Sequence, residues 1–151
     1  MKTHAIIIII CGVFFALLFA GCMTQPQTLP APTTPPITGT WTLTSLMGRG
    51  PTAVPPGVTI TATFLKGGTV SGFAGCNNYI ATYETQNTKL TIGKPETTTN
   101  KTCTSPAGIM DIETVYLSNL QGSGSYAING TQLTIIDTSG NTLLTYQKAG
   151  S

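Results

Sequence analysis

The most constraining feature of this chain is a rhythm in which threonine or another polar residue alternates with an apolar one. It recurs between turn signals from Gly39 onward. Trp41-Thr42-Leu43-Thr44-Ser45-Leu46 and Val58-Thr59-Ile60-Thr61-Ala62-Thr63-Phe64 both run with period two. Successive side chains of a strand face opposite sides, so each segment predicts one buried and one wet face. β-branched threonine suits the wet face. Lys66-Gly67-Gly68 separates the runs 58–65 and 69–74, which predicts a hairpin. A second hairpin is expected from 81–85 and 89–92. A third joins 125–128 to 132–136 through Asn129-Gly130, a strong two-residue hairpin signal. Residues 137–141 then turn into a last strand, 142–147. The segment 48–57 carries three glycines and three prolines and reads as a loop.

One segment breaks this rhythm. Ile109, Ile112, Tyr116, Leu117 and Leu120 fall on one face at helical spacing, with Gly122 and Gly124 beyond them. Ser105-Pro106 reads as an N-cap followed by proline at the first helical position. Asp111 and Glu113 lie early, where negative charge suits the helix dipole, and are expected on the exposed face. A helix with one apolar stripe packs on a sheet. The fold class is therefore mainly β (α+β). A strongly bent antiparallel sheet or partial barrel is expected, built from roughly seven or eight strands, with one packed helix.

The front of the chain has a different character. Residues 5–19 are almost unbroken apolar sequence after a short start carrying Lys2. As a helix at ~1.5 Å rise they span roughly 22 Å, short of the ~30 Å hydrocarbon core of a bilayer. That length fits a signal peptide, assigned to residues 1–21, better than a permanent span. Phe19-Ala20-Gly21-Cys22 resembles a prokaryotic lipobox, in which the cysteine is acylated and becomes the new N-terminus. Cys22 is thus the expected lipidation site. Stable anchoring takes more than one acyl chain, which lipidated cysteines of this kind usually carry. Residues 22–38 form the lipidated N-terminus and a Pro/Thr-rich linker, whose stretch 23–37, extended at ~3.1 Å per residue, is about 40–50 Å long. The folded part is assigned to 39–151. The expected location is the cell membrane, lipid-anchored and facing outside the cytoplasm, in a bacterial or archaeal host.

Two cysteines, Cys76 and Cys103, fall in the folded part. An exported domain can keep a disulfide, and two buried free thiols are the alternative. Two thiolates without histidine do not make a zinc tetrahedron, so no metal is expected.

The run Gly72-Phe73-Ala74-Gly75-Cys76-Asn77-Asn78-Tyr79 is followed by Thr99 and Cys103 in T-x-x-x-C form. The helix follows, and then Tyr126, Leu133, Asp137, Gly140 and Leu143-Leu144. Together with Trp41 and Leu46 these residues resemble the META/HslJ family over nearly all of 39–146. The resemblance implies a small lipocalin-like partial barrel with a helix, often in an envelope lipoprotein. It also implies an association with heat shock or other stress, antibiotic tolerance or virulence. It carries over no catalytic residues. The motif glycines and Asn77 read most simply as backbone devices.

Composition narrows the chemistry. The chain has 151 residues, 8% of them charged, and a net charge of +2. Its lysines and arginines form no cluster, which argues against nucleic acid as a partner. The sole histidine, His4, lies in the segment expected to be removed. The acids Glu84, Glu96, Asp111, Glu113 and Asp137 are dispersed. No G-x-S-x-G occurs. No enzyme activity and no cofactor are expected. A monomer is, with the membrane reached through the lipid and an envelope protein as candidate partner. Small apolar ligand carriage, or inhibition of another surface protein, is the alternative. The loop 48–57 is the candidate contact for such a partner. Asn100-Lys101-Thr102 and Asn129-Gly130-Thr131 match the glycosylation triplet.

Overall fold

The computed structural model describes residues 35–46 and 54–150. The expected signal peptide, Cys22, most of the linker and residues 48–53 of the loop lie outside the described residues. Every expected strand forms, although the second begins at Thr61 and not at Val58. In chain order they are β1 (Gly39–Leu46), β2 (Thr61–Leu65), β3 (Thr69–Phe73), β4 (Asn78–Gln86), β5 (Lys89–Ile92), β6 (Glu96–Thr97), β7 (Ser125–Asn129), β8 (Gln132–Ile136) and β9 (Thr142–Lys148). The described residues also contain one helix, α1 (Ile109–Gln121). No described helix is long and apolar enough to cross a membrane.

All pairings are antiparallel, in the order β3-β2-β1-β9-β8-β7-β5-β4-β6. β3 also pairs with β4 from Thr69↔Thr82 to Phe73↔Asn78. That extra ladder turns the strongly curved sheet into a ring. Its thinnest joint is β5–β7, with the single partner pair Lys89↔Ser125. Leu90 N–H donates to the Gly124 carbonyl (3.1 Å) and Tyr126 N–H to that of Thr88 (2.9 Å), which completes this joint. β6 is not foreseen by the sequence pattern, because two residues give no periodicity to read.

Burial follows the alternation. Along β4, Tyr79, Ala81 and Tyr83 point inward while Asn78, Ile80, Thr82 and Glu84 face out. The interior is filled by large side chains, including Trp41, Phe64, Tyr79, Tyr116 and Tyr146. Their polar ends are paired, as buried polar groups must be. Trp41 Nε1 donates to the Ile37 carbonyl (2.8 Å), and Tyr83 Oη to that of Leu65 (2.7 Å). Residues 35–38 belong to this packing: Ile37 is buried, and Tyr126 Oη donates to the Pro35 carbonyl at 3.3 Å.

The helix differs from expectation at its start. Gly108, not Ser105, is the N-cap residue, and no side chain caps the helix. Ile109 N–H donates to the Pro106 carbonyl (3.2 Å), closing a turn before the helix begins. Gly108 leaves that turn at φ 80°, a conformation glycine adopts without penalty. Ile109, Ile112, Tyr116 and Leu120 are buried as expected, and Asp111 is exposed. Glu113 is not on the exposed face. It is only 5% exposed, for a reason that lies in the turn before β4.

Candidate functional site

The turn between β3 and β4 depends on two glycines. At Gly75 the backbone φ is +112°, and a Cβ would stand 3.0 Å from Ile109 Cδ1. A Cβ on Gly72 would lie 2.0 Å from the Thr61 carbonyl oxygen. Gly72 therefore lets that carbonyl turn into the ring, where it accepts from Tyr79 Oη (3.1 Å) and Tyr116 Oη (3.3 Å). The Tyr79 and Tyr116 hydroxyls lie 2.9 Å apart, and Tyr146 Oη donates to Tyr116 Oη at 3.1 Å. One phenol each from β4, α1 and β9 thus ends in a common polar chain inside an apolar interior. Burial is the main cause raising all three phenol pKa values; charge repulsion from a neighbouring phenol adds to it, while a hydrogen bond within the chain offsets part of it at Tyr116 and Tyr146. Burial thus favours the protonated form of these hydroxyls.

Asn77 sits at the centre of a second network and is only 3% exposed. Its Nδ2 donates to the Lys101 carbonyl (3.1 Å) and to Glu113 Oε1 (2.9 Å). Its Oδ1 accepts from Thr99 Oγ1 and from Lys101 N–H, both at 2.8 Å. An amide side chain offers two donors and two acceptor lone pairs, so Asn77 has no capacity left. Glu113 Oε2 accepts from the backbone N–H groups of Cys76 (3.2 Å) and Asn77 (2.6 Å). The Glu113 carboxylate is therefore held by three donors of the turn, which is why a charged residue of α1 points inward. The expectation that Asn77 is a backbone device needs correction: it acts through its side chain. Cys76 and Cys103 form a disulfide with Cα atoms 5.9 Å apart, so the alternative of two free thiols is excluded. The G-C-N turn, the T-x-x-x-C segment and the helix are thus tied together by the side chains of Asn77, Thr99 and Glu113 and by one covalent bond.

The other acids are not assembled. Glu84, Glu96 and Asp111 are exposed on separate elements. Asp137 is occupied by its own turn, accepting from Asn141 Nδ2 (3.0 Å), Asn141 N–H (2.8 Å) and Ser139 N–H (2.8 Å). The Asn141 donors, side chain first, hold its carboxyl below the usual range. Among the described residues no group of His, Cys, Asp and Glu is placed to hold a metal ion.

Among the described residues, two neighbouring depressions lie along β3 and β4. A shallow depression of about 470 Å³ is lined by Thr61, Ser71, Gly72, Phe73, Asn78, Tyr79, Ile80 and Thr98. Beside it, a second of about 360 Å³ is lined by Thr69, Ile80, Ala81, Thr82, Lys94 and Glu96. None of these residues stands out in the sequence as a ligand contact, since outward strand positions differ from ordinary wet ones only in what lies across the ladder. Glu113 does leave a signal: it falls at the i+4 position from Ile109, inside the apolar helical template.

A family profile described as the META domain matches residues 35–150. No curated relative matches the sequence. Three solved structures are similar. The NMR structure of a protein from Burkholderia xenovorans is 29% identical with a TM-score of 0.60, covering 75% of this chain and 83% of that one. A second NMR structure is 20% identical with a TM-score of 0.54, covering 73% and 88%. The crystal structure of a DUF4847 family protein from Bacteroides vulgatus is 13% identical with a TM-score of 0.53, covering 76% and 94%. The last two likenesses concern the fold alone.

Proposed function

Because the chain belongs to the META domain family, we propose that it is a lipid-anchored, non-catalytic binding module facing outside the cytoplasm, with a role in envelope maintenance under stress. The carrying observation is the Cys76–Cys103 disulfide. Disulfides persist in oxidising compartments and are rare in the cytosol. The apolar leader and Cys22 supply the route out and the anchor.

The ring is read as a lipocalin-like partial barrel that works with its outside. Carriage of a small apolar ligand needs an interior void, and Trp41, Tyr79, Tyr116 and Tyr146 occupy that space. The non-catalytic reading is supported by the state of the candidate groups: the buried carboxylate is held by three donors of the turn, and burial favours the protonated form of the phenols. The chain acts as a monomer, reaches the membrane through its lipid, and has an envelope protein or wall polymer as its partner.

Fractionation of the native host tests this reading. Wild-type chain should sediment with membranes, and its N-terminal peptide should begin at an acylated Cys22. The Cys22→Ala chain should lose the acyl mass. A cytosolic wild-type chain with Met1 intact and Cys22 unmodified would overturn the proposal.

A further inference from the structure

Two depressions share one ridge on the outer face of β3 and β4. Ile80 stands between them, 43% exposed, and with Leu65 (49%) it is a large apolar side chain left in water. The ladder sets its surroundings: Ser71 faces Ile80, Phe73 faces Asn78, and Thr69 faces Thr82. Thr98 N–H donates to the Asn78 carbonyl at 2.8 Å, which carries the Phe73–Asn78 row one chain further. The volumes fall within the roughly 300–1,000 Å³ of ligand clefts, but both depressions are open to water.

We infer that this face binds a neutral saccharide chain of the cell envelope, with Ile80 and Phe73 under the sugar ring and Ser71, Asn78 and Thr98 at its rim. A pyranose carries C–H bonds on its faces and hydroxyls around its edge. The face offers that arrangement in complement, an apolar ridge flanked by hydroxyl and amide groups. Other ligand classes fit worse. The larger depression is lined by no charged side chain, and in the smaller one Lys94 and Glu96 offset each other, so a polyanion finds no attraction. An apolar ligand would leave much of its surface in water. A peptide adding as a strand needs free backbone groups, whereas Thr69–Ser71 of β3 and Tyr79–Ile80 of β4 are paired along both edges and Phe73 N–H donates to Thr61 Oγ1. The second depression lets the polymer continue past Ile80. An open site of this kind binds short oligosaccharides weakly, on the order of a millimolar, and gains strength from chain length.

The inference rests on the extracytoplasmic reading above, since wall polymers are met only there. The whole chain, isotope-labelled and purified in detergent, is titrated with chitohexaose, maltohexaose and mannohexaose, and with polyglutamate as the charged comparison. Saturable shifts of the Ser71, Ile80 and Thr98 amides are expected with at least one neutral sugar. Ile80→Glu should weaken that binding at least tenfold, while Leu65→Glu leaves it unchanged. No saturable shift with any of the three sugars, equal binding of polyglutamate at these amides, or equal loss in Leu65→Glu would each overturn the inference. Host fractionation reports separately on anchoring. An anchored chain that ignores sugars sinks only this inference, and a cytosolic chain that binds them sinks the anchoring.

Discussion

The meander β7–β8–β9 and the corner between β3 and α1 are held in opposite ways. In the meander, neighbours in sequence pair through short turns. Asn129↔Gln132 closes the first, and Asp137 holds the second by accepting from Ser139 and Asn141. In the corner, the groups that meet are 22 to 37 residues apart in sequence: Asn77 with Thr99, Asn77 with Lys101, and Glu113 with Cys76. Local turns cost little loop entropy and can form early. The corner has to recover the entropy of closing long loops with buried, fully satisfied hydrogen bonds and a disulfide. Damage should therefore be far more costly in the corner than in the meander.

Gly72→Ala tests this most severely. Its Cβ would sit 2.0 Å from a backbone oxygen, so β2 or β3 must move and the tyrosine chain loses its carbonyl. A loss of about 5 kcal/mol is expected, read as a failure to reach a folded state in denaturant melts. Alkali comes next. Tyr79, Tyr116 and Tyr146 have raised folded pKa values against 10.0 for a free phenol. The stability they contribute is complete below pH 10 and falls as pH rises, because only the unfolded chain can ionise them. Three such groups cost about 4 kcal/mol per pH unit above 10, so alkaline unfolding should be steep and cooperative across both regions. Unfolding of the meander alone would break the link that Tyr146 provides.

Asn77→Ala removes four hydrogen bonds and leaves Glu113 short of a donor. About 3–5 kcal/mol should be lost. Hydrogen exchange should rise in residues 98–103 well before it does in β7–β9. Replacing both Cys76 and Cys103 by serine releases a 27-residue separation and should cost about 3–4 kcal/mol from chain entropy, read as a lower denaturation midpoint. The smallest effect is expected at Gly130, which has φ +60° and open space where a methyl group would stand. Gly130→Ala should cost only about 1 kcal/mol, for the left-handed backbone alone. Equal losses at Gly72 and Gly130 would remove the contrast between the two regions.

The same contrast explains what is legible from residues alone. The Thr/apolar alternation and Asn129-Gly130 are local signals, and they locate every strand longer than two residues. The N-cap of α1 falls away from Ser105-Pro106 because that pair satisfies a local rule which the turn closed by Pro106 and Ile109 overrides. Asn77 and Glu113 are legible as residue types but not as partners. The outer-face pair Ser71 and Ile80 is not legible as a site, because cross-strand neighbours are separated by a turn whose register must first be known.

The sequence by itself determined the antiparallel class, the turns, the helix before β7 and its apolar stripe, since each follows from spacing within a few residues. Only the tertiary structure decided that β3 closes the ring on β4, that three phenols join in one chain ending on the Thr61 carbonyl, and that a carboxylate of the helix is buried against the Cys76–Asn77 turn. Those arrangements depend on groups brought together by the folded backbone, and the free energy that fixes them exists only once water has been excluded from between them.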